Sequence, residues 1–259
     1  MIEELKRTVN RIVLAVFCVF SAASVCAAAQ VSTAAAPFHS GEKLVYRAKW
    51  KWLPAGESRI EVLPFERIGD LLAYHFVMTT KTSAAVDLVY KVRDRQDSYT
   101  DIHLSRTLLY KKRSTGKHPR DVVVTFDWER MKAVYASFGK PERPVAILPG
   151  TFDPLALFFV IRLHELNVGD VLEIPITDGK KCLAVRATVA GRERVAVDAK
   201  VYDAHLVIPD MERLENVVAK EKEPQLKIWF SADEKRLPVK IQSRVAIGSF
   251  IFELVSSSR

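Results

Sequence analysis

Apolar and polar residues alternate with a period of two along most of this chain, which is the pattern of half-buried β-strands. The first clear instance follows Gly41, where the charged residues Lys43, Arg47 and Lys49 fall on one face of the strand. The other face carries apolar and aromatic side chains at Leu44, Tyr46, Ala48, Trp50 and Trp52. We expect this aromatic face to point into the interior of the protein.

The same alternation continues through residues 57–65 and 71–82. The apolar face of the second segment consists of Leu72, Tyr74, Phe76 and Met78. Consecutive alternating segments with short connections predict an antiparallel meander. Further segments with strand character are residues 92–101, 104–114, 122–126, 133–138, 171–177, 180–190, 194–197, 201–208, 226–231, 237–246 and 249–255.

Two glycines predict turns in the second half of the chain. Asp178-Gly179 lies between two strand-like segments and is typical of a two-residue hairpin turn. Gly191 predicts a second turn, between residues 180–190 and 194–197.

One segment, residues 151–165, predicts a helix. Asp153 can cap its first turn, because its carboxylate accepts backbone N–H groups, and Pro154 suits the first helical position. Apolar residues then point in every direction around the axis: Leu155, Leu157, Phe158, Phe159, Val160, Ile161 and Leu163. A helix that is apolar all round must be buried, and this one is too short to span a bilayer. We therefore expect strands to wrap around it or close over it.

These elements predict an all-β fold with one domain over residues 41–256. Its architecture is a strongly curved antiparallel sheet or barrel-like fold with one central or lid helix at about 151–165. Residues 30–40 are expected to form a flexible leader. The segment 211–223 combines helical spacing with strand-like surroundings, so its role stays open.

Residues 1–29 have the pattern of a signal peptide. Three bases lie within residues 6–11, an apolar core follows at 12–25, and three alanines at 27–29 supply the small residues that cleavage requires. We expect an exported protein of the bacterial periplasm that begins near Gln30. A lipoprotein modified at Cys26 and an N-terminally anchored form are less favoured alternatives, the first because Val25 stands where a lipobox has a small residue.

The formal net charge of +8 points to anionic partners without defining a binding tract. The bases are scattered, for example over residues 111–113, 192–194 and 220–222. An exported protein rarely meets nucleic acid, so we expect no nucleic-acid partner. Because the bases are spread, we favour a solvated basic surface; the alternative partners are a lipid or other anionic amphiphile and a membrane surface.

The sequence carries no catalytic or metal-binding signature. Its six histidines lack metal-ligand spacing, and Cys182 is the only cysteine after residue 29, which excludes a thiolate zinc site in practice. A Gly-x-Ser-x-Gly elbow, a Gly-rich phosphate loop and a dinucleotide fingerprint are all missing. We expect no metal and no cofactor and favour a non-enzymatic protein, although folding could still bring two catalytic carboxylates together.

Arg162 is the one charge within the apolar part of the predicted helix. In a structural role it would pair with an acid such as Asp153 or Glu165, or with backbone carbonyls. In a functional role it would face a cavity and bind an anionic headgroup. Asp233 and Arg236 belong to a predicted turn between strands, where a pair between them would fix the turn.

Three stretches in order carry a family resemblance. They are Phe38-x-x-Gly41-Glu42-x-Leu44-x-Tyr46-x-x-x-Trp50 with Ala55-Gly56, the run from Asp153-Pro154-Leu155 to Arg162, and the turn from Trp229 to Val239. Together they resemble an exported bacterial family known as domain of unknown function 3108 (DUF3108). The resemblance implies a periplasmic or envelope-associated protein that is rich in antiparallel strands and has no assigned activity. By analogy, the architecture is similar to the open lipid-carrying barrels of the lipoprotein-localisation proteins, although a shared fold does not establish function.

Binding or carrying an apolar or amphiphilic envelope molecule is the first of three expected functions. An uncharacterised enzyme acting on envelope glycans and a ligand-free structural scaffold are the others. A cavity of several hundred Å³ would distinguish a ligand-binding protein from a scaffold. The residues expected to form the ligand pocket are Tyr46, Trp50, Trp52, Tyr74, Phe76, Phe158 and Arg162.

Overall fold

Fifteen strands of the described residues pair antiparallel in one continuous sheet. The structure is a computed structural model, and it describes residues 36–50, 53–88, 91–115, 119–210, 225–245 and 248–258. The strands are β1 Lys43–Trp50, β2 Leu53–Ile68, β3 Leu71–Thr82, β4 Arg93–Asp101, β5 Thr107–Ser114, β6 Arg120–Asp127, β7 Lys132–Ser137, β8 Lys140–Pro141, β9 Val145–Ala146, β10 Val171–Thr177, β11 Cys182–Val197, β12 Lys200–Pro209, β13 Gln225–Ser231, β14 Pro238–Val245 and β15 Gly248–Ser258. The helical elements within these ranges are α1 Ala84–Asp87, α2 Leu157–Val160 and a 3-10 turn at Ile161–Leu163.

The first and last strands meet in the middle of the sheet. β15 pairs with β1 from Lys43 opposite Ser258 to Trp50 opposite Phe250. From this pair the sheet continues through β2 to β8 on one side and through β14 back to β10 on the other, and the short β9 pairs with β7. The outermost strands, β10 and β8, do not pair with each other, so strand pairing does not close the sheet.

A turn and its side chains bridge the two ends of the sheet. The turn between β10 and β11 lies against β6 and β7, where a Cβ atom on Gly179 would stand 2.8 Å from the Val124 side chain. Lys180 Nζ lies 4.4 Å from the centre of the Tyr135 ring and 3.5 Å from the Glu142 carboxylate. The sheet therefore curls back on itself. The prediction of an all-β, curved and barrel-like antiparallel fold is confirmed.

Two connections differ from the sequence prediction. Thr177 pairs with Cys182, so residues 178–181 form a four-residue connection in place of the expected two-residue turn. Gly191 does not end a strand, because β11 continues through it to Val197 with a shift in register next to the glycine. Gly191 pairs with Leu206 and Val189 with Val207, so Ala190 is the extra residue of a β-bulge, which bends a strand without ending it.

The helical segment, residues 154–163, is shorter than the helix predicted over 151–165: α2 has four residues and the 3-10 turn has three. Its start follows the prediction, since Asp153 Oδ1 accepts the N–H groups of Leu155 at 2.8 Å and Ala156 at 3.1 Å. The Thr107 hydroxyl on β5 also donates to Asp153 Oδ2 at 2.7 Å. One carboxylate thus caps the helical segment and fixes it to the sheet.

The helical segment ends early because a strand connection holds its last turn. The Arg236 guanidinium donates to the carbonyl oxygen of Arg162 at 3.0 Å. His164 already has extended backbone angles, with φ −95° and ψ 145°. Since a side chain satisfies this carbonyl, the chain leaves the helix without an unpaired acceptor at that position.

The helical segment lies inside the curved sheet. Phe159 stacks on Phe76 of β3 with ring centres 3.7 Å apart, and Phe38 contacts both rings edge-on. The residues of the segment that belong to the main core are Leu155, Ala156, Leu157, Phe159, Val160 and Ile161. No helix in the described part of the chain has the length and apolar character needed to cross a membrane.

Several features of the sequence analysis lie outside the described residues. They are the expected signal peptide, most of the expected leader, Trp52 and the segment 211–223. The described residues all belong to one compact unit.

Candidate ligand-binding cavity

A cavity of about 470 Å³ lies between the helical segment and the inner face of the sheet. The helical segment contributes Pro154, Leu155, Leu157 and Phe158 to its lining. The strands contribute Tyr46, Ser58, Ile60, Met78, Thr80, Gln96, Ile176, Val185, Pro209, Leu226, Ile241 and Phe252, and the connection between β10 and β11 contributes Asp178 and Lys181. This volume and this mainly apolar lining are typical of a small-molecule site.

The lining changes from apolar to polar along β2 and β3. Ile60 pairs with Met78, and two residues further Ser58 pairs with Thr80. The hydroxyl oxygens of the second pair lie 2.9 Å apart. The apolar pair lies nearer to Phe76, which packs on the helical segment, so the polar pair lies at the end of the cavity away from that segment.

The charged residues of the lining belong to the connection between β10 and β11. Strand directions alternate across the whole sheet, so the connection between β10 and β11 lies at the same end of the barrel as the connection that follows β3. Among the described residues that line the cavity, only Asp178 and Lys181 carry a charged side chain. We call Ser58, Thr80, Asp178 and Lys181 the mouth of the cavity.

Arg162 lies at the opposite end of the barrel and does not line the cavity. Its guanidinium donates to Glu42 Oε1 at 2.6 Å and Oε2 at 3.0 Å, and to the carbonyl oxygens of Pro37 at 3.2 Å and Lys235 at 3.1 Å. The Phe38 ring lies 5.1 Å from its guanidinium carbon. Arg162 is 1% exposed, and its partners are neither Asp153 nor Glu165 but an acid at the start of β1.

The turn at residues 231–237 holds Arg162 from the other side. Asp233 accepts a hydrogen bond from the Ser231 hydroxyl at 2.6 Å, and that hydroxyl accepts the N–H of Leu237 at 2.8 Å. Asp233 and Arg236 do not form the expected side-chain pair. The Arg236 guanidinium donates a hydrogen bond to the carbonyl oxygen of Arg162 instead. The turn is fixed by Ser231, and Arg236 links it to the helical segment.

Of the other described residues expected in the pocket, two line the cavity and three do not. Tyr46 and Phe158 line the cavity. Phe76 is fully buried in the core, and Tyr74 contacts Phe38 and Phe65 edge-on. Trp50 is 39% exposed at the end of β1.

Tyr46 is a wall residue with a satisfied polar group. Its hydroxyl donates to the Pro238 carbonyl oxygen at 2.8 Å. Burial raises the pKa of Tyr46 well above its usual value, so this phenol stays neutral.

Sequence reasoning missed the residues at the mouth. Lys181 stands two and four residues before Leu183 and Val185, so the period-two pattern places it on their face of β11. That spacing could have identified it. No comparable sequence signal distinguishes Thr80 from the other polar residues near the end of β3.

Two further groups of titratable residues lie away from the cavity. Burial raises the pKa of Asp153, although hydrogen bonds from Ser98 and Thr107 oppose the shift. Asp97 accepts hydrogen bonds from His75 Nε2 at 2.8 Å and Arg95 Nη2 at 2.6 Å. Neither group has the form of a metal site, and the described residues contain no cluster of three or more ligands that could hold a metal.

The fold and the cavity define a barrel-like β protein with an apolar internal site. The chain belongs to the family described as protein of unknown function DUF3108, which it matches over residues 45–255. The family predicted from three short stretches is therefore confirmed.

A solved structure has a similar fold. It is the beta-barrel-like protein of domain of unknown function DUF1849 from Brucella abortus, with a TM-score of 0.55 and 9% sequence identity. The alignment covers 85% of this chain and 97% of that chain. At this identity the similarity shows the fold alone. No curated protein matches the chain.

Proposed function

We propose that this protein is exported to the periplasm and binds or carries an apolar or amphiphilic envelope molecule without changing it chemically. The observation that carries the proposal is the cavity of about 470 Å³ between the helical segment and the sheet. Sites for small molecules occupy roughly 300–1,000 Å³, whereas a scaffold with a fully packed interior has no need of such a space.

The lining supports an apolar ligand. Leu155, Leu157 and Phe158 form one side of the cavity, and Ile60 and Val185 belong to the facing strands. Burying one methylene group contributes about 0.8 kcal/mol, so roughly ten buried methylenes would supply about 8 kcal/mol before the entropy cost of association. An alkyl chain is therefore a suitable occupant.

The sequence of residues 1–29 supports export. A basic region, an apolar core and a small-residue cleavage site follow one another as in a signal peptide. The ligand would then be a molecule of the bacterial envelope, and the basic surface of the protein would favour contact with anionic headgroups.

Native mass spectrometry of protein isolated from the periplasm tests this function. We expect the wild-type protein to carry a bound small molecule, and Met78→Trp to retain less of it because the larger side chain narrows the cavity. Val201→Trp is the matched control, since Val201 is 58% exposed. A folded wild-type protein without a bound molecule, which also fails to bind dodecanol or dodecanoate, would contradict the proposal. So would equal retention of the ligand in both variants.

A further inference from the structure

We propose that the ligand is a single-chain amphiphile with an anionic carboxylate or phosphate headgroup, and that Lys181 binds this headgroup at the mouth of the cavity. This inference rests on the proposed function, because it assumes that the cavity holds a ligand. It assigns the charged contact to a residue at the opposite end of the barrel from Arg162.

The arrangement of the lining gives the ligand one orientation. Apolar side chains lie next to the helical segment, and the hydroxyls of Ser58 and Thr80 lie at the mouth. Lys181 and Val185 share one face of the chain at four residues' separation, a distance of about 13 Å along a strand. An extended alkyl chain thus lies along β11, with its headgroup beside Lys181 and its methyl end beyond Val185.

The volume favours one alkyl chain. A cavity of about 470 Å³ lies in the lower half of the range for ligand sites, which hold one drug-sized molecule. A lipid with two long chains would need more space than the described lining encloses.

The charges at the mouth favour an anion. Lys181 is half-buried, and its ammonium group makes no ion pair with any described residue. Asp178 is exposed, and its Oδ1 already accepts the N–H groups of Lys180 at 2.9 Å and Lys181 at 3.4 Å. The cation is thus available to a ligand, while the carboxylate is engaged with its own turn. Arg162 cannot take this role, because Glu42 already binds it at both oxygens.

The backbone holds Lys181 in place. The Thr177 hydroxyl donates to the carbonyl oxygen of Lys181 at 2.8 Å and accepts the N–H of Gly179 at 3.0 Å. Gly179 has φ +90° and no room for a Cβ atom beside Val124. A residue on a fixed turn loses less conformational entropy when it binds a ligand.

The neighbouring lysine supplies a matched control. Lys180 lies over the Tyr135 ring, close to Glu142, and does not line the cavity. Lys181→Ala and Lys180→Ala therefore change the net charge equally at adjacent positions. Isothermal titration calorimetry would measure the binding of dodecanoate, dodecyl phosphate and dodecanol to both variants and to wild type. Thermal unfolding would confirm that both variants are folded.

We expect Lys181→Ala to weaken the binding of dodecanoate, dodecyl phosphate or both by about tenfold or more, which corresponds to about 1.4 kcal/mol. Dodecanol should bind both variants as it binds wild type, and Lys180→Ala should leave all affinities within about twofold. Comparing the two anions distinguishes a fatty acid from a phosphate headgroup. Equal effects of the two lysine variants, or stronger binding of dodecyltrimethylammonium than of both anions, would overturn the role of Lys181 and leave the proposed function standing. A wild-type protein that binds none of these probes would overturn both.

Discussion

Glu42 and Arg162 form a buried bidentate ion pair with distances of 2.6 and 3.0 Å, although 120 residues separate them in the sequence. Glu42 lies just before β1, and Arg162 lies in the last turn of the helical segment. The pair therefore fixes the helical segment to the central strand of the sheet. It does so at the end of the barrel opposite the mouth of the cavity.

Breaking this pair should destabilise the protein. Arg162→Leu leaves the Glu42 carboxylate buried without its cationic partner. Glu42→Leu leaves the Arg162 guanidinium buried without its anionic partner. Losing one partner of a buried ion pair costs about 3–5 kcal/mol. We expect a loss of that size in the free energy of unfolding from urea denaturation of each variant.

The double variant Glu42→Leu/Arg162→Leu is the control for this pair. Its loss in the free energy of unfolding should be smaller than the sum of the two single losses by about 1–3 kcal/mol, because neither charge is buried without its partner. Additive effects, or single variants with unchanged urea midpoints, would show that the two side chains are not coupled.

Phe158 and Phe159 should respond differently to truncation. Phe159 is 1% exposed and stacks on Phe76, so Phe159→Ala should cost about 3–5 kcal/mol. Phe158 lines the cavity, so Phe158→Ala should cost clearly less and should change ligand affinity instead. Thermal unfolding and dodecanol titration of both variants would measure the two effects. If Phe158→Ala destabilised the protein as much as Phe159→Ala, this assignment would be wrong.

Asp97 should give the protein a pH-dependent stability on the outer face of the sheet. Burial raises its pKa, but hydrogen bonds from His75 and Arg95 outweigh this and lower the pKa to about 2. Because the folded pKa lies below the usual value of 3.8, the ionised carboxylate stabilises the fold at neutral pH. This contribution is lost as the pH falls from about 4 through about 2.

The variant Asp97→Asn isolates this contribution. We expect it to be less stable than wild type in urea at neutral pH, and the difference to shrink as the pH falls from about 4 to about 2. Burial also raises the pKa of Asp153 in the core, but this carboxyl is present in both proteins and its contribution cancels in the comparison. A difference that stays constant over this pH range would contradict the low pKa.

Export should leave a defined N-terminus. If residues 1–29 are a signal peptide, the protein recovered from the periplasm of a bacterial host should begin near Gln30. Intact-mass spectrometry would measure this directly. A diacylglyceryl group on Cys26, or a retained N-terminus, would show that one of the alternatives is correct.

The strands and the start of the helical segment could be predicted because their signals are local. Alternation over 71–82 gives the bounds of β3, and the Asp153-Pro154 pair marks where the helical segment begins. The length of the helix could not be predicted in this way. Its end depends on Arg236, a residue far along the chain that binds the Arg162 carbonyl.

The candidate site was less predictable, because a cavity depends on which side chains fill the interior. Tyr46 and Phe76 both alternate onto the inner face, yet Tyr46 lines the cavity and Phe76 is covered by Phe159. The sequence also leaves a ligand-binding role open for Arg162, because its partner Glu42 lies 120 residues away and local spacing does not identify it. Lys181 shows the converse: its spacing to Leu183 and Val185 predicts the face of the strand on which it lies, but only the folded chain shows that this face lines a cavity.

A crystal structure of the protein with ω-bromododecanoate tests the central claim most directly. We predict an anomalous bromine peak inside the cavity beside Leu155 and Phe158, with the carboxylate at the mouth within hydrogen-bond distance of Lys181 Nζ. A bromine peak at the mouth or on the outer surface, or a cavity that excludes the ligand, would contradict the account.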